Sequence, residues 1–233
     1  MNKEVFVSEL KKINIDVTHE MLEKLDKYYK LLVEWNEKIN LTRIIQEDEV
    51  YLKHFYDSLT LNKAIDLKES LSLCDVGTGA GFPGIVLKIV FPNLSITLVD
   101  SLLKRINFLN LVIKELDLDD INAIHTRCED YARIHREEFD VVTSRAVANL
   151  TTLSELCIPM VKEHGYFIPM KANAMEEIKE ASDILKKLDS SIENIYEFDL
   201  PMENSHRTII KIRKNKKTNV KYPRSFDKIK KNR

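Results

Sequence analysis

An α/β fold is what this sequence predicts: a mostly parallel sheet covered on both faces by helices, with an antiparallel hairpin at one edge and a helical extension ahead of it. Three observations carry that prediction. From residue 71 short apolar runs alternate with helix-length stretches, two last runs follow one another with no helix between them, and four of the five glycines crowd into residues 77–84. Strands that are apolar on both sides belong to a parallel sheet, because each crossover lays a helix across it.

Residues 1–62 read as helices. "THEMLEKLDKYYKLLVEWNEKIN" sets Met21, Leu22, Leu25, Tyr28, Tyr29, Leu32, Trp35 and Ile39 at spacings of three and four, a single apolar stripe, with Thr18 placed to start the helix. A further helix is expected over "EDEVYLKHFYDSLTLN". The predicted strands are "LSLCDV" (71–76), "SITLVD" (95–100), "INAIHT" (121–126), "FDVVTSR" (139–145) and "GYFIPMK" (165–171), with helices over 83–91, 101–116, 149–162 and 174–188. "IENIYEFDLP" and "HRTIIKIRK" then form the edge hairpin. The expected organisation is a helical extension at 1–65, a ligand-binding domain at 66–214 and a basic tail at 215–233.

The net charge of -1 hides an asymmetry. From Lys211 to Arg233 there are 11 Lys and Arg against Asp227 alone, or +10, so the other 210 residues carry 25 Lys and Arg against 36 acids, or -11. A basic end on an acidic body suits a polyanion, and nucleic acid before membrane, since no apolar helical face accompanies the charges; a solvated tail is the plain alternative. "MNKEVFVSELKKINIDV" is charged every few residues, so it reads as neither signal peptide nor anchor, and no segment reaches the roughly 18 to 20 apolar residues of a membrane span. Cys74, Cys128 and Cys157 are odd in number and far apart, which suits a reducing compartment, so the cytoplasm is expected. The six histidines include no HExxH and accompany no paired CxxC, so no metal site is expected.

The glycine cluster follows the first strand and opens the first helix, with Pro83 suited to a first helical turn. That is where open α/β sheets bind ligands, and glycines allow both positive φ and close approach to the backbone. Asp100 ends the second strand, 23 residues after Gly77, where an acid can accept hydrogen bonds from both ribose hydroxyls. Loop and acid together predict an adenosine-binding site. Read from Gly79, "GAGFPG" fits the dinucleotide fingerprint GxGxxG; read from Asp75, "DVGTGAG" places at the strand end an acid that would repel a pyrophosphate and suit a cationic ligand such as S-adenosylmethionine. No GK[ST] follows, which disfavours triphosphate hydrolysis.

"WNEKINLT", "HFYDSL", "DVGTGAGFPGI", "VDSLLKRINFL", "TRCED", "TSRAVANL" and "KYPR", in that order, give the chain a close resemblance to the ribosomal small subunit methyltransferase G family, also called the glucose-inhibited division protein B family. The resemblance runs from about residue 20 to the tail. It implies a class I S-adenosylmethionine-dependent methyltransferase, Rossmann-like, that methylates N7 of a guanine in 16S ribosomal RNA. The expected partner is that RNA, within the small ribosomal subunit or its precursor, and nothing demands more than a monomer. Matched position by position, the resemblance puts Gly77 and Phe82 on the cofactor, Cys128 and Glu129 beside the adenine, and Arg145 at the completed site. The family more often has Ala or Val where Cys128 stands. Asp100 joins the set from the fold rather than from the resemblance. Guanine N7 carries no proton to remove, so no general base is required, and no catalytic residue is assigned.

Other readings of the same residues stay open. Arg145 could be an ion-pair partner for Asp75 or Glu129, and Lys104 and Arg105 could hold RNA phosphate or form a solvated helix face. His54 and Asp57 lie a turn apart and suit a structural hydrogen bond between the helical region and the sheet; Trp35 reads as core, and Cys74 and Cys128 as small buried groups. In the tail, Lys211, Arg213, Lys214, Lys216, Lys217, Lys221 and Arg224 could neutralise phosphates, with Tyr222 and Phe226 available for stacking on bases. On that reading, deleting residues 215–233 raises the KM for RNA and leaves cofactor affinity nearly unchanged. A nicotinamide-dependent oxidoreductase and a non-catalytic RNA-binding protein are the competing functions.

Overall fold

The computed structural model of the chain describes residues 1–145 and 147–230. Ala146 of the "TSRAVANL" motif, and Lys231, Asn232 and Arg233 of the predicted tail, lie outside the described residues. The opening helices are α1 (Lys3–Lys12) and α2 (His19–Ile39). Thr18 caps α2 as expected, its Oγ1 accepting from Met21 N at 3.2 Å, and Asn40 ends it at a φ of 50°, where a short polar side chain is tolerated. The helix expected next is continuous but not uniform. It runs as α3 (Glu47–Val50), a π-helical stretch (Tyr51–Tyr56), α4 (Asp57–Leu59) and a 3₁₀ turn (Thr60–Lys63).

Strands and helices then alternate: β1 (Ser72–Val76), α5 (Gly84–Val90), β2 (Ser95–Asp100), α6 (Leu103–Glu115), β3 (Ile121–His125), α7 (Cys128–Ile134), β4 (Phe139–Arg145), α8 (Leu150–Cys157) and β5 (Val161–Lys171). After α9 (Met175–Glu180) and α10 (Ser182–Lys187) come β6 (Ser190–Asp199), β7 (His206–Lys214) and α11 (Phe226–Lys230). The strand order is β3-β2-β1-β4-β5-β7-β6; the first five strands are parallel, and β7 is antiparallel to both β5 and β6. The order reverses between β1 and β4, so the crevice for a ligand lies at their carboxyl ends.

Period-2 burial builds two apolar clusters. On one face Leu73, Ile96, Leu98, Val141 and Ile168 share a cluster with Ile85 and Phe108 of the covering helices and with Phe6, Leu10, Tyr28 and Leu32 of α1 and α2. On the other, Cys74, Val76, Val99, Val142 and Phe167 pack with Leu153 and Leu156 of α8, Ile184 of α10, and Tyr222 and Ile229 beyond β7. Trp35 is half-buried on the first cluster, 5.9 Å from the Phe108 ring, so it serves the core and not the crevice.

Three elements differ from expectation. No periodic stripe announced α7, because it is seven residues long with only Glu129, Tyr131 and Ala132 buried. The helix expected over 149–162 ends at Cys157, a 3₁₀ turn (Ile158–Met160) containing Pro159 follows, and β5 begins at Val161 instead of 165. The basic segment after β7 is docked rather than free. Arg136 donates to the carbonyls of Tyr222 and Thr218, both at 2.6 Å, and Tyr222, read as a base-stacking residue, is buried.

Candidate functional site

The glycine loop is built from bare backbone for two reasons. Gly77, Gly79 and Gly81 have φ of 68°, 62° and 103°, which L side chains rarely adopt. A Cβ on Gly84 would meet Leu98 Cδ2 at 2.2 Å, so α5 can lie on the sheet only without one, whereas a Cβ on Gly79 would have nothing nearer, among the described residues, than Gly77 O at 4.0 Å. The open side of Gly79 faces a cavity of about 870 Å³ at the carboxyl ends of the strands, which that residue lines. From the opposite side Tyr28 of α2 braces the loop, its hydroxyl donating to Ala80 O and its ring lying 5.6 Å from Phe82.

Hydrogen bonding in the loop separates the two adenosine readings. The N–H groups of Gly77 and Thr78 donate to Val99 O, those of Gly81 and Phe82 to Thr78 O, that of Gly79 to Asp100 Oδ2, and that of Gly84 to Asp75 Oδ2. Nearly every donor a pyrophosphate would need is already used. Asp75 does not face the cavity, as the sequence reading implied. It is fully buried beneath the loop, accepting also from Thr78 Oγ1 at 2.7 Å, and its Oδ1 has no partner among the described residues. Burial pushes this carboxyl up to about 6, while the hydrogen bonds from Thr78 and Gly84 and the charge of Arg145 hold it down. An ionised acid below the loop favours a cation above it. The donor-poor cradle with an orphaned carboxylate oxygen therefore fits a sulfonium cofactor and not a diphosphate.

All six residues expected at the cofactor, Gly77, Phe82, Asp100, Cys128, Glu129 and Arg145, line this one cavity. Asp100 accepts from Gly79 N, Leu102 N and Arg105, at 3.0, 2.9 and 3.1 Å. Three donors leave its roughly four acceptor sites room for one ribose hydroxyl rather than the expected two. Glu129 on the first turn of α7 is buried, with Arg127 at 3.8 Å as its ion-pair partner, and so keeps more capacity. Cys74 is buried, but Cys128 is only half-buried and stands in the cavity wall.

Arg145 pairs with neither Asp75 nor Glu129. It donates to Asp57 Oδ2 at 2.9 Å, to Lys53 O at 2.9 Å and to His54 Nδ1 at 3.1 Å, and its guanidinium lies 5.2 Å from the Phe82 ring. Since a guanidinium can only donate, His54 Nδ1 accepts, its Nε2–H donates to Thr42 Oγ1 at 2.9 Å, and the imidazole is neutral. Burial and the Arg145 charge lower this histidine to about 3. Its ring stacks on Phe82 at 4.3 Å. Asp57 also accepts from Arg207 Nε at 2.9 Å, so one carboxylate holds two cations. The structural bond expected of His54 and Asp57 is thus present, and both residues also line the cavity.

Sequence reasoning missed Thr42, Arg207, Lys171 and Asn173, which line the same cavity. Arg207 sits within "HRTIIKIRK", read only as a strand; its pairing with Asp57, 150 residues earlier, left no local signal. Arg105 pairs with Asp100 while Lys104 is exposed, and Lys171 reaches Glu177 at 2.8 Å. Among the described residues no cluster of three or more His, Cys, Asp or Glu could hold a metal, and no helix is long and apolar enough to cross a membrane.

A parallel sheet reversing beside a glycine loop, with acids closing β2 and opening α7 and no anion cradle, defines the class I methyltransferase fold. Solved structures bear the likeness out. A SAM-dependent methyltransferase from Aquifex aeolicus matches with a TM-score of 0.53 at 17% identity, over 72% of this chain and 94% of that one. TYW2 from M. jannaschii, solved in complex with AdoMet, matches with a TM-score of 0.54 at 12% identity, over 66% and 75%. The family model for rRNA small subunit methyltransferase G (GidB) matches residues 21–206. Proteins named ribosomal RNA small subunit methyltransferase G from Bacillus licheniformis and Lysinibacillus sphaericus are 49% and 47% identical to this chain, each over 96% of it and 95% of their own length. The chain belongs to the rRNA small subunit methyltransferase G family.

Proposed function

We propose that the protein transfers a methyl group from S-adenosylmethionine to N7 of a guanine in 16S ribosomal RNA. The observation that carries this reading is the single cavity that is lined both by the donor-poor glycine loop and by Lys53, Lys171, Arg145 and Arg207. At about 870 Å³ the cavity lies at the upper end of the roughly 300–1,000 Å³ usual for small-molecule sites, which suits a cofactor and a nucleobase together. Gly77 and Gly79 would cradle the cofactor, Asp100 and Glu129 would accept from its ribose, and Cys128 and Phe82 would flank it.

When bound, S-adenosylmethionine supplies a methyl group on a cationic sulfonium. The protein's task is alignment, because N7 is a bare lone pair and needs no base. Phe82, His54 and Arg145 form one stacked and hydrogen-bonded stretch of the cavity wall, held by Asp57. Orientation of this kind is worth up to about 7–11 kcal/mol. Neutral His54 adds no repulsive charge beside a cationic cofactor, and the paired Arg145 and Arg207 leave a net positive pocket for an RNA strand.

We further read the RNA as presented within the small subunit or its precursor, the enzyme as a cytoplasmic monomer, and the chain as extension 1–65, methyltransferase domain 66–214 and basic segment 215–233. The test is transfer of labelled methyl to small subunits from cells lacking the enzyme, with the label mapped by 7-methylguanine cleavage. A single labelled guanine is expected; absence of label with intact cofactor binding would refute the substrate. Isothermal titration with S-adenosylhomocysteine and with NAD decides the competing oxidoreductase reading, since only the former should bind.

A further inference from the structure

We propose that Phe226, brought back to the cavity by the segment that follows β7, is a cofactor-binding residue that walls the adenosine end. The proposal rests on reading the cavity as a S-adenosylmethionine site, and it concerns a residue beyond the stretch 21–206 that the family match covers.

The path of the segment makes the case. It leaves β7 at the amino end of the parallel strands, where the buried Lys214 ammonium donates to Val161 O at 2.7 Å and Asn215 N donates to Asp189 O at 2.8 Å. Arg136 then holds it by the carbonyls of Thr218 and Tyr222. Next comes a clasp on α8: Glu155, 1% exposed, accepts from Arg224 N at 2.9 Å, from Nε at 2.8 Å and, through its other oxygen, from Nη2 at 2.6 Å. A buried carboxylate that takes both a backbone N–H and a two-pronged guanidinium fixes the chain's direction as well as its position. Two residues later the chain has reached the carboxyl ends of the strands, and Phe226 lines the cavity with Cys128, Leu153 and Leu156. Phe226 packs on the cluster that contains both leucines, and Ile229 is buried in that same cluster.

This apolar stretch of wall adjoins the first turn of α7, where Glu129 is poised to accept from a ribose. An adenine is a flat ring with two apolar faces, and an aromatic side chain seated among leucines gives it area and stacking geometry at little cost in side-chain freedom. Two of the segment's basic residues lie elsewhere. Lys216 and Lys217 follow β7 directly and are exposed near the amino ends of the strands, Lys217 at 3.9 Å from Glu137, so they do not stand at the cavity mouth.

Isothermal titration of the full chain with S-adenosylhomocysteine and with 5′-methylthioadenosine, which keeps the nucleoside and lacks the amino acid, tests this. F226A is expected to weaken both ligands by the same factor, about tenfold, with F226Y close to the native protein. F226L, which keeps the bulk and loses the ring, should weaken both several-fold and serves if F226A does not fold. Native affinity in a folded F226A or F226L would overturn the proposal, as would a loss confined to S-adenosylhomocysteine, which would place the contact at the amino-acid end. If the unsubstituted chain bound neither ligand, the cofactor reading itself would fall and the role of Phe226 with it.

Discussion

Asp75 and His54 are both buried beside the cavity, and folding moves their proton affinities in opposite senses. The carboxyl rises from 3.8 to about 6, so its contribution to stability is full below about 3.8 and is lost as pH climbs through 6. The imidazole falls from 6.5 to about 3, so its contribution is full above about 6.5 and is lost as pH drops towards 3. Urea unfolding across that range should show D75N removing a decline on the order of 3 kcal/mol and H54Q removing a rise on the order of 5 kcal/mol. Gly79 gives a second residue-scale prediction. Because a Cβ there meets nothing among the described residues nearer than 4.0 Å, G79L should stay folded at a strain of about 1–2 kcal/mol and yet lose S-adenosylhomocysteine binding in a thermal-shift assay. At this scale Gly77, Phe82 and Glu129 were legible because the motif is local. Arg207 and Tyr28 were not, since each acts on a partner far along the chain: Asp57 150 residues before the one, Ala80 52 residues after the other.

Between elements, the weight falls on the π-helical stretch Tyr51–Tyr56 and the α4 turn behind it. Widening a helix there leaves the Lys53 carbonyl able to accept from Arg145 and aims His54 at Phe82. Asp57, 5% exposed, then ties this helical path to β4 through Arg145 and to β7 through Arg207. D57A leaves two half-buried guanidinium groups without their anion and should cost about 3–5 kcal/mol in chemical denaturation, with D57N costing less because its carbonyl still accepts. Short apolar runs made the strands readable to within a few residues, most clearly for β1 and β4, which are buried on both faces. The π-helical stretch was invisible, because a widened turn changes the spacing of the backbone hydrogen bonds and not the residue types that form it. The short α7 escaped for want of enough turns to show a period.

Across the whole molecule, the distribution of cations revises how RNA binding should respond to salt. Exposed Arg127 lines the cavity, whereas Lys216 and Lys217 sit towards the opposite end of the strands. R127A should therefore reduce the slope of log affinity against log salt by about 0.7–0.9, and K216A/K217A should leave it nearly unchanged, as filter binding to small subunits would report. Deletion of residues 215–233 should now weaken S-adenosylhomocysteine binding and lower the melting temperature, reversing the expectation of unchanged cofactor affinity, because that segment supplies Tyr222 and Ile229 to the core. Composition revealed the segment's charge but not its docking, which depends on Arg136 and Glu155 far earlier in the chain. The cavity wall draws on residues from Leu41 to Phe226. During synthesis, then, no partial chain carries a finished pocket. Every strand of the sheet precedes Phe226 in the chain, so the last piece of the pocket wall to be made is the one that follows the whole sheet.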